Sequence, residues 1–207
     1  MSENRSPCNK IFYVCVVGCY LLRVFFSFCL FCFCFFLYFQ KLRKKIPGIA
    51  LRTSLIVGFP GETQAAFKRL LSFVREAGFE HLGVFTYSPE EGTPAYDLSP
   101  RVPQDVAEER LDRIMKAQAK ISLKKNRALI GSIQRVLVDG MQDLALVGRL
   151  PTQAPEIDGV VYLSETEAGP GEFVTIMIAD ATEYDLAGEG CEAAKNGIQK
   201  TESRGKK

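Results

Sequence analysis

The chain has 207 residues, 47% of them hydrophobic. That is enough for one ordinary domain or two small ones with buried cores, and it excludes a chain too short or too polar to fold. Lys and Arg number 26 against 24 Asp and Glu, so a net charge of +2 singles out no class of partner. The charge is unevenly spread: between residues 11 and 39 only Arg23 is charged, whereas residues 41–45 and 200–207 are rich in basic side chains.

Residues 11–39, IFYVCVVGCYLLRVFFSFCLFCFCFFLYF, exceed the roughly 20 apolar residues that cross a bilayer as a helix, and the basic cluster after them suits a cytoplasmic flank. This pattern predicts a transmembrane anchor. The stretch is too long and too aromatic for a signal peptide, and no small-residue cleavage site follows it. Two features oppose the anchor. The Phe and Cys bias resembles a low-complexity run, and Arg23 near the membrane middle would cost about 2.5–3.5 kcal/mol. The bias favours a second reading, in which residues 1–40 are foreign to the rest of the chain; membrane attachment then requires that residues 11–39 be a native segment.

Residues 50–57 predict a strand. The run LRTSLIVGFPGET carries that strand through Gly58, Pro60 and Gly61 into a helix, the kind of turn at which β-to-α units place ligands. Thr63 can cap the helix through its hydroxyl, Phe67, Leu70, Leu71 and Val74 recur at helical spacing, and Gly78 ends it as a left-handed residue would. Residues 82–87 read as a second buried strand, so the unit is a right-handed βαβ crossover in a parallel sheet. Alone, such a unit exposes a sheet edge and an apolar face. Residues 88–100, SPEEGTPAYDLSP, form a loop by their Pro and Gly content.

From Pro103 to about Leu129 the composition turns helical, with Leu111, Ile114, Met115 and Ile121 as an apolar stripe. Lys116, Lys120, Lys124, Lys125 and Arg127 lie on or near the opposite face and read as solvated surface before nucleic-acid groove. After Gly131 the period becomes strand-like. Residues 133–138, 144–149, 160–163 and 173–178 are strand candidates, separated by Asp139-Gly140, a Pro-rich loop and Gly169-Pro170-Gly171. Four or five short strands in some sixty residues suggest a small barrel of the kind that binds an oligonucleotide or a basic partner surface. Residues 191–207 have no large apolar side chain except Ile198 and are predicted to be disordered.

The order of these pieces carries a resemblance. RTSLIVGFPGET, VFTYSPEEGTPAYDL, VPQDVAEERLDRIMKAQAKISLKKNRALIG, then APEIDGVVYL and EYDLAGE, together resemble the radical S-adenosylmethionine (SAM) methylthiotransferases with a terminal TRAM domain, from about residue 41 to 190. SPEEGTPAYDL, PEIDGVVY and YDLAGE are more similar to the branch that modifies a ribosomal protein than to the branch that modifies tRNA. The fold implied is α/β plus all-β. A partial, TIM-like radical SAM barrel occupies 41–130 and a five-stranded, OB-like TRAM barrel occupies 131–190, flanked by the apolar segment 1–40 and the tail 191–207.

The resemblance also implies SAM and two 4Fe-4S clusters as cofactors, and a cytoplasmic enzyme that methylthiolates the β-carbon of an aspartate in a small-subunit ribosomal protein. The TRAM barrel would engage RNA or that protein. It further implies a SAM pocket at Ile56, Val57, Gly58, Phe59 and Gly61, with Val84, Phe85 and Tyr87 near the adenine. Folding alone also demands apolar strand residues and turn glycines at these positions.

The family's first cluster is held by CxxxCxxC, three thiolates that leave one iron free for SAM. Cys15 and Cys19 have the first spacing, but Leu22 stands third. Cys29 and Cys32 have the second, but Phe25 stands four residues before Cys29. Cys8, Cys34 and Cys191 complete no triad, and the single histidine, His81, reads as structural. No metal ligand is assigned, and radical chemistry by these 207 residues alone is not expected.

Overall fold

The structure is a computed structural model that describes residues 11–16 and 27–190, with side chains from residue 36 onward. The predicted disorder of residues 191–207 falls outside the described residues. Two compact units divide between Ser122 and Leu123.

The first unit holds β1 (Ile11–Val16), α1 (Ser27–Lys45), β2 (Ala50–Val57), α2 (Gln64–Ala77), β3 (His81–Thr86) and most of α3 (Gln104–Arg127). All pairings in its sheet are parallel, in the order β1-β2-β3. The expected βαβ crossover is therefore present, with β1 added on the other side of β2. Strand alternation sends Leu51, Leu55 and Val57 into a core shared with Phe67, Leu70, Leu71 and Val74 of α2, Ile114 of α3 and Phe39 of α1. Each such large side chain contributes about 1.5–3 kcal/mol by leaving water.

Sequence and local structure agree closely around α2. The Thr63 hydroxyl accepts from the Ala66 N–H at 3.2 Å, and Gly78 closes the helix at φ +54° with its N–H donating to the Val74 carbonyl. Residues 11–39 do not form the continuous helix of the anchor reading. Ile11–Val16 is a strand, and α1, described over Ser27–Lys45, ends among basic residues. Among the described residues no helix is long and apolar enough to cross a membrane. Phe39 is buried in the core, its ring 5.5 Å from that of Phe79, and Arg43 donates to the carbonyls of Ala77 and Gly78 while pairing with Glu80.

The second unit is a closed five-stranded barrel of β4 (Ile133–Gln142), β5 (Ala145–Arg149), β6 (Val161–Ser164), β7 (Phe173–Ala181) and β8 (Leu186–Gly190), ordered β4-β5-β6-β8-β7. Val136, Val138, Val161, Leu163, Ile176, Ile178 and Leu186 fill its interior. Two sequence expectations fail here. Asp139-Gly140 is not a turn: β4 runs through it as a bulge and ends at Gln142, because Gly140 can adopt φ +150° within the ladder. The turn is Asp143-Leu144, both at positive φ, so Leu144 is not a strand residue and stands 97% exposed. The fifth strand, β8, had no apolar run to announce it. A Cβ on its Gly188 would fall 2.3 Å from Ile176 Cδ1, so a small residue is required there.

Candidate functional site

The loop 58–63 joins the C-terminal end of β2 to α2, and three contacts fix it. The Gly58 N–H donates to Glu62 Oε2, the Glu62 N–H to the Phe59 carbonyl at 2.9 Å, and the Gly61 N–H to the Pro100 carbonyl at 2.8 Å. The last of these ties the loop after β3 to the loop after β2. Glu62 also pairs with Arg110 of α3 at 3.2 Å, both side chains nearly buried, and the same guanidinium donates to the Glu62 carbonyl. Arg110 and Arg113 lie over the Phe67 ring at 5.4 and 4.9 Å. The turn is thus clamped to α3 by a charge pair that low solvent access strengthens.

The eight residues expected at a SAM pocket separate into three pairs and two turn glycines. Ile56 and Phe85 are partners in the β2–β3 register and lie on the sheet face opposite the helices, together with Arg52, Ser54, His81 and Gly83. Phe85 is 59% exposed there. Val57 and Val84 point the other way into the helix-covered core, so a ligand on the open face does not reach them. Phe59 and Tyr87 stack edge to face at 4.8 Å beyond the strand ends, where the Tyr87 N–H bonds to the Val57 carbonyl at 2.8 Å. The Tyr87 hydroxyl is buried without a hydrogen-bond partner among the described residues. An orphaned buried hydroxyl beside an aromatic ring is a place where a ligand's polar atom gains more than it would at the surface.

The two glycines differ in what they do. Gly58 has φ +75°, and a Cβ there would fall 2.5 Å from Ala107 Cβ, so the close approach it permits is to α3. Gly61 has φ +82° with nothing within 4 Å of its would-be Cβ, which leaves its surface open. The sequence contains no CxxxCxxC to hold a 4Fe-4S cluster. Among the described residues no group of three or more His, Cys, Asp or Glu is gathered for a metal ion. Cys15 lies in β1, and Cys29, Cys32 and Cys34 lie in α1; Cys8, Cys19 and Cys191 fall outside the described residues.

Sequence reasoning missed Glu62 and Arg110, although a signal existed. Ala107, Arg110, Ile114, Ala117 and Gln118 are the buried positions of α3, so Arg110 sits on the apolar stripe, where a charged residue announces a buried partner. It also missed the charge of the barrel. Residues 131–190 contain eleven Asp and Glu, two Arg and no Lys, a formal charge of −9 that the whole-chain +2 conceals.

A parallel β/α segment with a glycine turn at its strand ends, followed by a closed five-stranded barrel, defines an α/β unit joined to a TRAM module, and residues 130–190 match the TRAM domain family. Beyond that class, the chain is a partial homologue of the RimO methylthiotransferases. It is 52% identical over 152 residues to the ribosomal protein uS12 methylthiotransferase RimO of Geobacter sulfurreducens, covering 72% of this chain and 34% of that protein. It is 53% identical over 151 residues to RimO of Anaeromyxobacter sp. strain Fw109-5, covering 72% and 32%. Against RimO of Syntrophotalea carbinolica it is 49% identical over 153 residues, covering 72% and 34%. The chain spans about a third of the length of the curated relatives it matches.

Proposed function

We propose that this chain carries the SAM-facing turn and the substrate-recognition barrel of a methylthiotransferase whose target is an aspartate of ribosomal protein uS12, and that these 207 residues do not perform the radical step unaided. The observation that carries the choice of a protein target over an RNA is the charge of −9 across residues 131–190, which stays at −6 when Lys124, Lys125 and Arg127 of the same compact unit are added. Binding to nucleic acid is driven by Lys and Arg replacing phosphate counterions, and a surface with two Arg among eleven carboxylates repels phosphate instead. Proteins that lie against ribosomal RNA carry the opposite charge excess, and an acidic surface attracts them.

SAM would supply the radical precursor and the methyl group. In this chain Ile56 and Phe85 offer apolar surface for the adenine. Gly61 leaves backbone open to approach, and the Tyr87 hydroxyl offers a hydrogen bond. The Glu62–Arg110 pair holds the turn in place while these contacts form. CxxxCxxC is absent from the sequence, so no step through a cluster is assigned to it.

A chimaera tests the reading. The last third of Geobacter sulfurreducens RimO is replaced by residues 41–207 of this chain and expressed with uS12 under anaerobic conditions, and the tryptic peptides of uS12 are weighed by mass spectrometry. Methylthiolation of a uS12 aspartate is the expected result. A folded, cluster-loaded chimaera that modifies tRNA and leaves uS12 untouched would overturn it.

A further inference from the structure

Helix α3 divides by charge. Its four acids, Asp105, Glu108, Glu109 and Asp112, all stand in its first nine residues, whereas residues 113–138 contain seven Lys and Arg and no acid. The first half pairs its polar side chains one turn apart, Gln104 donating to Glu108 at 2.9 Å and Arg113 meeting Glu109 at 3.4 Å. The second half does not. Lys116, Lys120, Lys124 and Arg127 are exposed, and among the described residues their side chains make no hydrogen bond or ion pair. Spacings of four, four and three residues set them in one row along the helix, about 16 Å long at 1.5 Å per residue. Like charges at this spacing weaken a helix, so helix formation does not explain the row. The dipole at the helix C-terminus favours cations in the last turn, which covers Lys124 and Arg127 but does not reach Lys116 and Lys120. Solvation does not explain it either, since the mixed charges of the first half serve that purpose without repulsion.

We infer that this row on α3 is a contact surface for the phosphate backbone of RNA. None of the large apolar side chains exposed among the described residues lies on α3, so the row has no anchor for a protein interface and nothing to insert into a lipid surface. A line of unpaired cations fits instead a partner whose anions repeat along a strand, and the gain comes from the counterions released as each Lys or Arg takes a phosphate. Contacts of this kind position a strand without reading its sequence. The inference goes beyond the reading above, in which the barrel takes the protein target. Only the choice of RNA as the strand rests on that reading, because a ribosomal protein lies against RNA. The RNA is the support that carries the target, and nothing on it is modified.

The test measures binding of the full chain to single-stranded RNA oligonucleotides of unrelated sequence across a salt series, with a poly-glutamate peptide as the second probe. Lys116→Gln combined with Lys120→Gln is expected to weaken RNA binding about tenfold at about 0.05 M salt, equally for every sequence. At about 0.7 per phosphate contact on a single strand, the loss of two contacts should lower the slope of log affinity against log salt by about 1.4. Lys116→Arg combined with Lys120→Arg is expected to keep both affinity and slope. The neutralised variant should melt no lower than the unsubstituted chain, because it removes a like-charge pair; if it does melt lower, Lys120→Gln with Lys124→Gln takes its place, with the same expected losses. The basic residues 200–207 are common to all variants and cancel in the comparison. An unchanged affinity and slope in the neutralised variant overturns the proposal. So does an unsubstituted chain that binds no RNA at about 0.05 M salt, or one that binds poly-glutamate as tightly as RNA through the same two lysines. No uS12 enters this measurement, so its failure and that of the chimaera are told apart.

Discussion

Gly58 shows what a single residue in the turn decides. Its backbone lies at φ +75°, a region L side chains avoid at about 1–3 kcal/mol. A methyl there must also displace Ala107 on α3, and overpacking of this kind costs roughly 1–3 kcal/mol more. Gly61, at φ +82° with open space around it, carries only the first of these penalties. Gly58→Ala is therefore expected to lower stability clearly more than Gly61→Ala, by several degrees in a thermal melt; equal effects would show that the turn is not pressed against α3. The sequence made both glycines visible as turn residues, because Gly next to Pro after an apolar strand has few other uses. It did not reveal that one faces a helix and the other solvent, since that depends on a residue nearly fifty positions away. For the same reason Ile56 and Val57 looked alike as site residues, yet pleating sends them to opposite faces of the sheet.

Among the elements, β2, α2, β3 and α3 were legible because each carries its own signals: a period-2 or helical pattern, a threonine cap, a terminal glycine. The elements that were not legible take their shape from neighbours. β8, LAGEG, has too little apolar content to read as a strand and exists because barrel closure between β6 and β7 demands it. The Asp143-Leu144 turn uses positive φ at two residues that are not glycine, so composition gave no warning. The apolar run 11–39 was misleading in the other direction. Its bulk suggested one long helix, whereas Ile11–Val16 pairs in register with 50–55 as a strand. Phe39, near the end of that run, is in van der Waals reach of Phe73 and Phe79 with ring centroids 6.3 and 5.5 Å away. Phe39→Ala is expected to destabilise the first unit by about 3–5 kcal/mol. A melting curve unchanged by that substitution would mean that α1 does not pack on this core.

At the scale of the whole molecule, net charge gave the least information, because +2 averages a barrel at −9 with a remainder that is basic. Two compact units, each with its own apolar core, make the barrel separable, and the residues just before its first strand belong to the second unit. Leu129 packs against the barrel core, the Gly131 N–H donates to the Ile178 carbonyl at 2.8 Å, and Asn126 Nδ2 donates to the Thr182 carbonyl at 3.0 Å. A piece spanning 123–190 retains all three contacts. A piece spanning 131–190 loses Leu129 and Asn126, which together contribute on the order of 2–3 kcal/mol. The longer piece should therefore melt as one cooperative unit at a clearly higher temperature than the shorter. Both crowd like charges onto a small surface, so both should gain stability as salt rises from about 0.01 to 0.15 M and the screening length falls from about 30 to 8 Å. If the two pieces melt together, the residues before Gly131 add nothing to the barrel. If salt leaves both melts unmoved, the carboxylates are too dispersed to act as a field, and the argument for attraction of a basic partner loses its physical basis.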